Sequence, residues 1–96
     1  MKYIEEKDLE EGKFYHLDYY GYYAIMLCTK KHKFKGIGLI LDKTSRKVDW
    51  CGEGGYGANS SAKAASEAEI ILFKQEYRKK YPHSKKFSNT EIYQIY

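Results

Sequence analysis

The chain has 96 residues, of which 43% are hydrophobic and 31% charged, and its formal net charge is +4 at pH 7. That length allows one hydrophobic core, and the composition is that of a folded domain, far from that of a disordered chain. No stretch approaches the roughly 18 consecutive apolar residues of a membrane span, and the N-terminus lacks the pattern of a secretory signal. We therefore expect one cytoplasmic domain over residues 1–96, with no membrane partner.

The charge is unevenly distributed along the chain. Residues 1–12 contain two Lys against five acidic residues, whereas residues 13–96 contain fifteen Lys and Arg against eight. A basic body favours an anionic partner such as a nucleotide, a nucleic acid or an acidic protein surface. Scattered lysines also keep a small protein in solution, so the two interpretations stay open.

Four predicted strands make residues 13–51 an antiparallel sheet. They are aromatic or apolar runs bounded by turn residues, over residues 13–18, 22–30, 37–41 and 48–51. Asp18 and Gly21 fit a three-residue hairpin loop between the first two strands. The continuous apolar run at 37–41 is expected at the sheet centre. Short connections predict a meander, either open or curled into a half-barrel.

One long helix is predicted over residues 65–81, after a glycine- and serine-rich loop at 52–61. Ser66 and Glu69 fit a capping box at its start, and Pro82 marks its end. Residues 82–96 form a tail, in which residues 87–96 are either a short helix or an edge strand. The fold class is therefore α+β, with the meander packed against one C-terminal helix.

Two apolar faces are expected on this helix. Ile70, Phe73, Tyr77 and Tyr81 fall on one stripe that should pack against the sheet. A second patch lies on nearly the opposite side and would be exposed in a monomer, unless the N-terminal segment covers it: Ala68, Ile71 and Leu72. We expect this patch to join subunits of a homo-oligomer.

Residues 52–57 match the glycine pattern G-x-G-x-x-G of phosphate-binding loops. A dinucleotide fold would need a second parallel strand ending in an acidic residue, which the basic tail does not supply. A looser hypothesis is that the loop feeds the helix N-terminus and binds any phosphate. Its residues would be Gly54, Gly55, Ser60, Ser61 and Lys63. The alternative is a plain flexible linker.

Eleven tyrosines and Trp50 are the most unusual feature of the composition. Four tyrosines surround the first turn, namely Tyr19, Tyr20, Tyr22 and Tyr23, and at least two of them must expose their rings. Flat aromatic faces stack on bases, serve protein interfaces, or simply form strands. The turn therefore marks a candidate binding surface.

Catalytic and metal-binding patterns have little support. His16, His32 and His83 show no ligand spacing, and Cys28 and Cys51 have no adjacent base. Both cysteines are expected as buried core thiols. We expect a protein without a metal or cofactor, and not an enzyme.

The segment Ala65–Phe73, which follows a meander opened by Leu9–Tyr15, resembles a pattern in small accessory proteins of bacteriophages and prophages. That resemblance covers about two-thirds of the chain. It implies a counter-defence or host-takeover role, such as sequestering a nucleotide immune signal or binding a host protein or nucleic acid.

The leading hypothesis is a binding protein that captures a phosphate-bearing ligand such as a nucleotide signal. The stacking residues would be Tyr19, Tyr20, Tyr22, Trp50 and Tyr56, with Lys63 and Arg78 as phosphate partners. The alternative is an inhibitor or adaptor that binds a host protein or nucleic acid through the same aromatic and basic surface.

Overall fold

The computed structural model describes residues 3–57 and 61–82. Its strands are β1 (Phe14–Asp18), β2 (Tyr22–Lys30), β3 (Lys35–Asp42), β4 (Val48–Gly55) and β5 (Ala62–Ala64), and its long helix is α1 (Glu67–Lys80). A 3₁₀ turn at Glu6–Asp8 precedes β1. The strands form one open antiparallel sheet in the order β4-β3-β2-β1-β5. The predicted α+β class is confirmed. The sheet is not closed, β2 is its central strand, and β5 was not predicted.

The hairpin between β1 and β2 follows from local sequence. Gly21 has φ +81°, a left-handed conformation that glycine adopts at little cost, and the Tyr19 amide donates to the Tyr22 carbonyl at 2.9 Å. The predicted three-residue connection is therefore confirmed. It leaves Tyr20 and Tyr22 exposed, as the crowding of tyrosines at this turn requires.

The expected loop at residues 52–61 is wrong for its first four residues. Gly52–Gly55 continue β4, and Gly54 and Gly55 pair with Gly36 and Lys35 of β3. Pairing with a neighbouring strand outweighs the weak strand propensity of glycine here. A register shift beside Gly38 adds one residue to β4, a β-bulge.

The last two strands lie at opposite edges of the sheet. Ala62–Ala64 form β5 by pairing with β1, and β4 and β5 are the two outer strands. The glycine stretch consequently does not lead directly into the helix N-terminus, because β5 comes between them. The predicted phosphate loop formed by both features is not present in the described residues.

Each side of the sheet has its own apolar cluster. On the helix side, Phe73 and Tyr77 of α1 pack against strand residues such as Phe14, Ile25 and Leu39. The opposite side is covered by parts of the N-terminal segment, the β2–β3 turn and the residue after β4: Leu9, Phe34 and Tyr56, with Ile4 alongside.

Helix α1 begins as its sequence predicts. The Ser66 hydroxyl accepts from the Glu69 amide and the Glu69 carboxylate accepts from the Ser66 amide, so the capping box is complete. Phe73 and Tyr77 are buried on the expected stripe, whereas Tyr81 is partly exposed. No helix among residues 3–57 and 61–82 is long and apolar enough to cross a membrane.

The second apolar patch on α1 is only partly open. Ala68 and Ile71 are exposed, but Leu72 packs against the helix-side cluster. The predicted tail lies outside the described residues beyond Pro82.

Candidate functional site

A groove of about 460 Å³ lies between the β1–β2 hairpin and the end of β4. We call it the tyrosine groove. Its lining comes from the hairpin, from β3 and β4, and from the residues after β4, and consists of Tyr19, Tyr22, Ile40, Cys51, Glu53, Gly54, Gly55, Tyr56 and Gly57. Its volume falls within the range of small-molecule sites.

Two stacked tyrosines form one wall of the groove. The rings of Tyr19 and Tyr22 lie 5.0 Å apart at 18° to each other, and the Tyr19 hydroxyl donates to the Tyr56 carbonyl. The stack belongs to the tight hairpin, while the hydrogen bond ties the hairpin to the chain after β4. These contacts order the wall before a ligand arrives, which lowers the entropy cost of binding.

Tyr56 fixes the opposite end of the groove. Its amide donates to the Phe34 carbonyl at 2.7 Å, and its hydroxyl donates to the Gly52 carbonyl at 2.9 Å. The ring passes over Gly38, where a Cβ atom would lie 2.5 Å from the Tyr56 hydroxyl oxygen. Burial raises the pKa of the Tyr56 phenol well above its usual value, so the hydroxyl stays protonated and keeps donating.

The described lining contains one charged residue, Glu53, and neither Lys nor Arg. At the rim, the Lys43 ammonium donates to the Tyr19 carbonyl at 3.0 Å and lies 2.6 Å from the Asp18 carboxylate. The groove therefore offers aromatic faces and strand backbone, with a cation only at its margin.

Cys51 brings a thiol to this surface, contrary to the expectation that both cysteines are buried. Cys28 is buried in the core, but Cys51 is exposed because it sits at the bulge of an edge strand. Partial desolvation and the nearby Asp49 carboxylate raise the pKa of the Cys51 thiol. At neutral pH it stays protonated and is a weak nucleophile.

A smaller hollow of about 250 Å³ adjoins the groove and shares Glu53, Gly54 and Gly55 with it. Thr29 and Lys35 line its other side. The end of β4 thus separates an aromatic recess from one that carries an ammonium group and a hydroxyl.

The structure brings five predicted ligand residues together in the groove: Tyr19, Tyr22, Gly54, Gly55 and Tyr56. Tyr20 lies nearby, but its ring points into solvent, with a relative exposure of 101%. Trp50 belongs to the helix side, where its ring lies 5.4 Å from that of Phe73 and its indole N–H donates to the Tyr81 hydroxyl at 3.2 Å.

The predicted phosphate partners do not join the groove. Lys63 lies on β5 opposite His16, at the far edge of the sheet, and Arg78 lies on the exposed surface of α1. Ser61 is not part of the described lining, and Ser60 lies outside the described residues.

Four lining residues escaped prediction, namely Ile40, Cys51, Glu53 and Gly57. Glu53 and Gly57 lie within the glycine pattern at 52–57, which was a weak indication that they belong to a binding site. Ile40 and Cys51 reach the groove through β3 alternation and the β4 bulge, which depend on register and have no local sequence signature.

No group of three or more His, Cys, Asp or Glu side chains within the described ranges is arranged to hold a metal ion. Comparison of the chain with protein-family models, with curated proteins and with solved structures gives no match.

Proposed function

We propose that the chain is a non-enzymatic binding protein whose tyrosine groove takes the aromatic base of a nucleotide. The observation that carries the proposal is the stacked pair of Tyr19 and Tyr22, which lines a recess of about 460 Å³ together with Gly54 and Gly55. A flat ring stacks on an exposed tyrosine with about 1–3 kcal/mol per base. The glycines of the lining leave space for the ring.

The lining of the groove suits a base better than a phosphate. Its described residues include neither Lys nor Arg, so a phosphate would find no cation there, whereas the backbone groups of the lining can pair with the polar edge of a base. We therefore assign most of the affinity to the base. The phosphate would extend to the rim, where Lys43 replaces Lys63 and Arg78 as its candidate partner.

The resemblance to phage accessory proteins suggests the biological role in this proposal. In that setting the protein would act in the host cytoplasm and capture a nucleotide immune signal. Self-association through Ala68 and Ile71 is part of the same proposal, since both side chains are exposed on α1. Light scattering at high protein concentration tests this, and a monomer would contradict it.

The ligand test compares adenosine, AMP, a cyclic dinucleotide and ribose 5-phosphate in thermal-shift and calorimetric titrations. The base-containing compounds should raise the melting temperature, because a ligand that binds only the folded state stabilises it. Ribose 5-phosphate should not. The proposal is wrong if none of the base-containing compounds binds, or if ribose 5-phosphate binds equally well.

Tyr22→Ala provides the decisive variant, because Tyr22 is partly exposed and its loss should leave the fold intact. We expect at least a tenfold loss of affinity, from the stacking energy given above. Tyr20→Ala is the matched control, since it removes a neighbouring tyrosine that does not line the groove. Equal effects of the two substitutions would contradict the assignment.

A further inference from the structure

One residue joins the tyrosine groove to the turn between β2 and β3. The Tyr56 amide donates to the Phe34 carbonyl at 2.7 Å, and the Tyr56 carbonyl accepts from the Tyr19 hydroxyl. A residue spans at most about 3.6 Å and a hydrogen bond about 3 Å, so the Phe34 carbonyl and the Tyr19 hydroxyl lie within about 10 Å of each other. The turn therefore adjoins the end of the groove that Tyr56 fixes.

This turn carries four lysines within six residues, and we call it the basic turn: Lys30, Lys31, Lys33 and Lys35. All four are exposed, and none of them forms an ion pair within residues 3–57 and 61–82. Two carboxylates are nearby, since Glu11 accepts from the Lys31 amide at 3.3 Å and Glu53 lines the smaller hollow with Lys35. Four cations against two anions leave the surface positive, which attracts an anionic ligand.

The fold holds these like charges close together. The His32 amide donates to the Leu9 carbonyl at 3.1 Å, and Phe34 buries its ring in the sheet face opposite α1. Lys30 and Lys35 are partners across β2 and β3, and like charges in directly opposite positions destabilise a sheet. A bound anion relieves that repulsion, and the ordered backbone lowers the entropy cost of binding it.

A second cation lies at the other margin of the groove. Lys43 follows β3 directly and donates to the Tyr19 carbonyl, whereas Lys35 begins the same strand. A nucleotide within a strand has a phosphate on either side of its base, whereas AMP has only one. Positive charge along the backbone path, combined with aromatic stacking, is the general mode of single-strand binding. Cations at both margins of an aromatic recess therefore match a strand that passes through it.

We propose that the protein binds single-stranded nucleic acid, with one base stacked in the tyrosine groove and the flanking phosphates at the basic turn and at Lys43. This inference rests on the proposed nucleotide function and extends its ligand from one nucleotide to a strand. A duplex fits poorly, because its bases are not unstacked and cannot reach Tyr22. An acidic protein segment offers charge to the lysines but no base to the tyrosines.

Fluorescence anisotropy with a labelled deoxyadenosine decamer measures strand binding, and calorimetry measures AMP binding under the same conditions. The decamer should bind at least tenfold more tightly than AMP. Contacts with three phosphates predict that the logarithm of the association constant falls against the logarithm of the salt concentration with a slope of about −2. A slope shallower than about −1 would overturn the proposal.

Lys33→Gln combined with Lys35→Gln tests the basic turn. Both side chains are exposed, so the fold should persist. Two lost charges should weaken decamer binding at least fivefold and make the salt slope shallower by about 1.4, while AMP, with its phosphate at Lys43, should bind unchanged. Lys63→Gln combined with Lys80→Gln is the matched control, since it removes the same charge from β5 and from the end of α1. Equal effects of the two double variants would overturn the assignment.

Competition for the labelled decamer separates a nucleic-acid strand from other anions. The unlabelled single strand should displace the probe at concentrations at least tenfold lower than a duplex of the same sequence, inorganic polyphosphate or polyglutamate. Equal competition by polyphosphate or polyglutamate would reduce the interaction to charge and overturn the proposal, and so would equal competition by the duplex. If AMP binds and Tyr22→Ala weakens it, but the decamer binds no more tightly than AMP, strand binding is wrong and the nucleotide function stands.

Discussion

Glu69 fastens the first turn of helix α1 to strand β1 through His16. One oxygen of its carboxylate accepts from the Ser66 amide at 2.8 Å, and the other lies 2.6 Å from the His16 Nδ1 atom. His16 in turn stacks on Tyr23 with a ring separation of 4.5 Å. The residue that caps the helix is thus also the residue that positions it on the sheet.

Replacing Glu69 should therefore destabilise the protein more than replacing an ordinary capping residue does. We expect Glu69→Ala to lower the free energy of unfolding by about 2–3 kcal/mol, because it removes a cap and a largely buried charged hydrogen bond together. Urea unfolding at pH 7 measures this. Glu67→Ala changes an exposed carboxylate in the same helical turn and should cost under about 1 kcal/mol. Similar losses for both variants would show that His16 adds nothing.

Acid should weaken the same link. Burial alone would raise the pKa of Glu69, but hydrogen bonds from the Ser66 amide and His16 outweigh it and lower that pKa below 4.5. Since the folded-state pKa is the lower one, the stabilisation is present above about pH 4.5 and is lost as the pH falls through the folded-state value. Unfolding free energies measured from pH 7 to pH 3 should therefore decline.

Glu69→Gln tests the origin of that decline. The substitution retains a capping side chain and removes the titrating group, so the acid slope should become shallower. The pKa of Asp18 is also lowered, chiefly by its hydrogen bond to Lys43, and leaves a residual slope of the same sign. An unchanged slope in Glu69→Gln would assign the acid sensitivity to residues other than Glu69.

Local chemistry made part of this fold predictable. Ser66 and Glu69 lie within one helical turn, and Gly21 sits where a tight hairpin needs a positive φ, so short windows of sequence contain these signals. The two strand segments at 52–55 and 62–64 were not predictable in that way. Gly52–Gly55 become strand only because β3 offers a partner, and Ala62–Ala64 only because β1 does.

In the candidate site, too, some features follow from a short stretch of sequence and others depend on pairing with distant strands. Crowding at the first turn predicted exposed tyrosines, and the structure places Tyr22 in the groove. Trp50 was assigned to the same surface, but strand alternation turns it toward α1, and Cys51 at the bulge takes a place on the groove instead. Strand register determines which face of the sheet a side chain occupies, and a single bulge moves the following side chains to the other face.

Gly38 should tolerate an added side chain poorly. A Cβ atom there would lie 2.5 Å from the Tyr56 hydroxyl oxygen and 2.7 Å from the Ile25 carbonyl oxygen, and the backbone contact cannot relax easily. We expect Gly38→Ala to destabilise the protein by about 1–3 kcal/mol, as overpacking does. Gly54→Ala, with open space around the added methyl group, should change stability by less than about 1 kcal/mol in urea unfolding. A reversed order of the two would contradict the placement of Tyr56.

The two thiols should react very differently in the folded protein. Cys51 is exposed on the groove and Cys28 is buried, so one equivalent of an alkylating reagent should couple at Cys51, and the second only after unfolding. Because partial desolvation and Asp49 raise the pKa of the Cys51 thiol, its reaction should be slow at neutral pH and accelerate through and beyond pH 9. Mass spectrometry after timed labelling measures both rates.

A base bound in the tyrosine groove would cover the Cys51 thiol, so saturating AMP should slow Cys51 labelling and leave the labelling of unfolded protein unchanged. Equal labelling with and without bound AMP would exclude the tyrosine groove as the binding site.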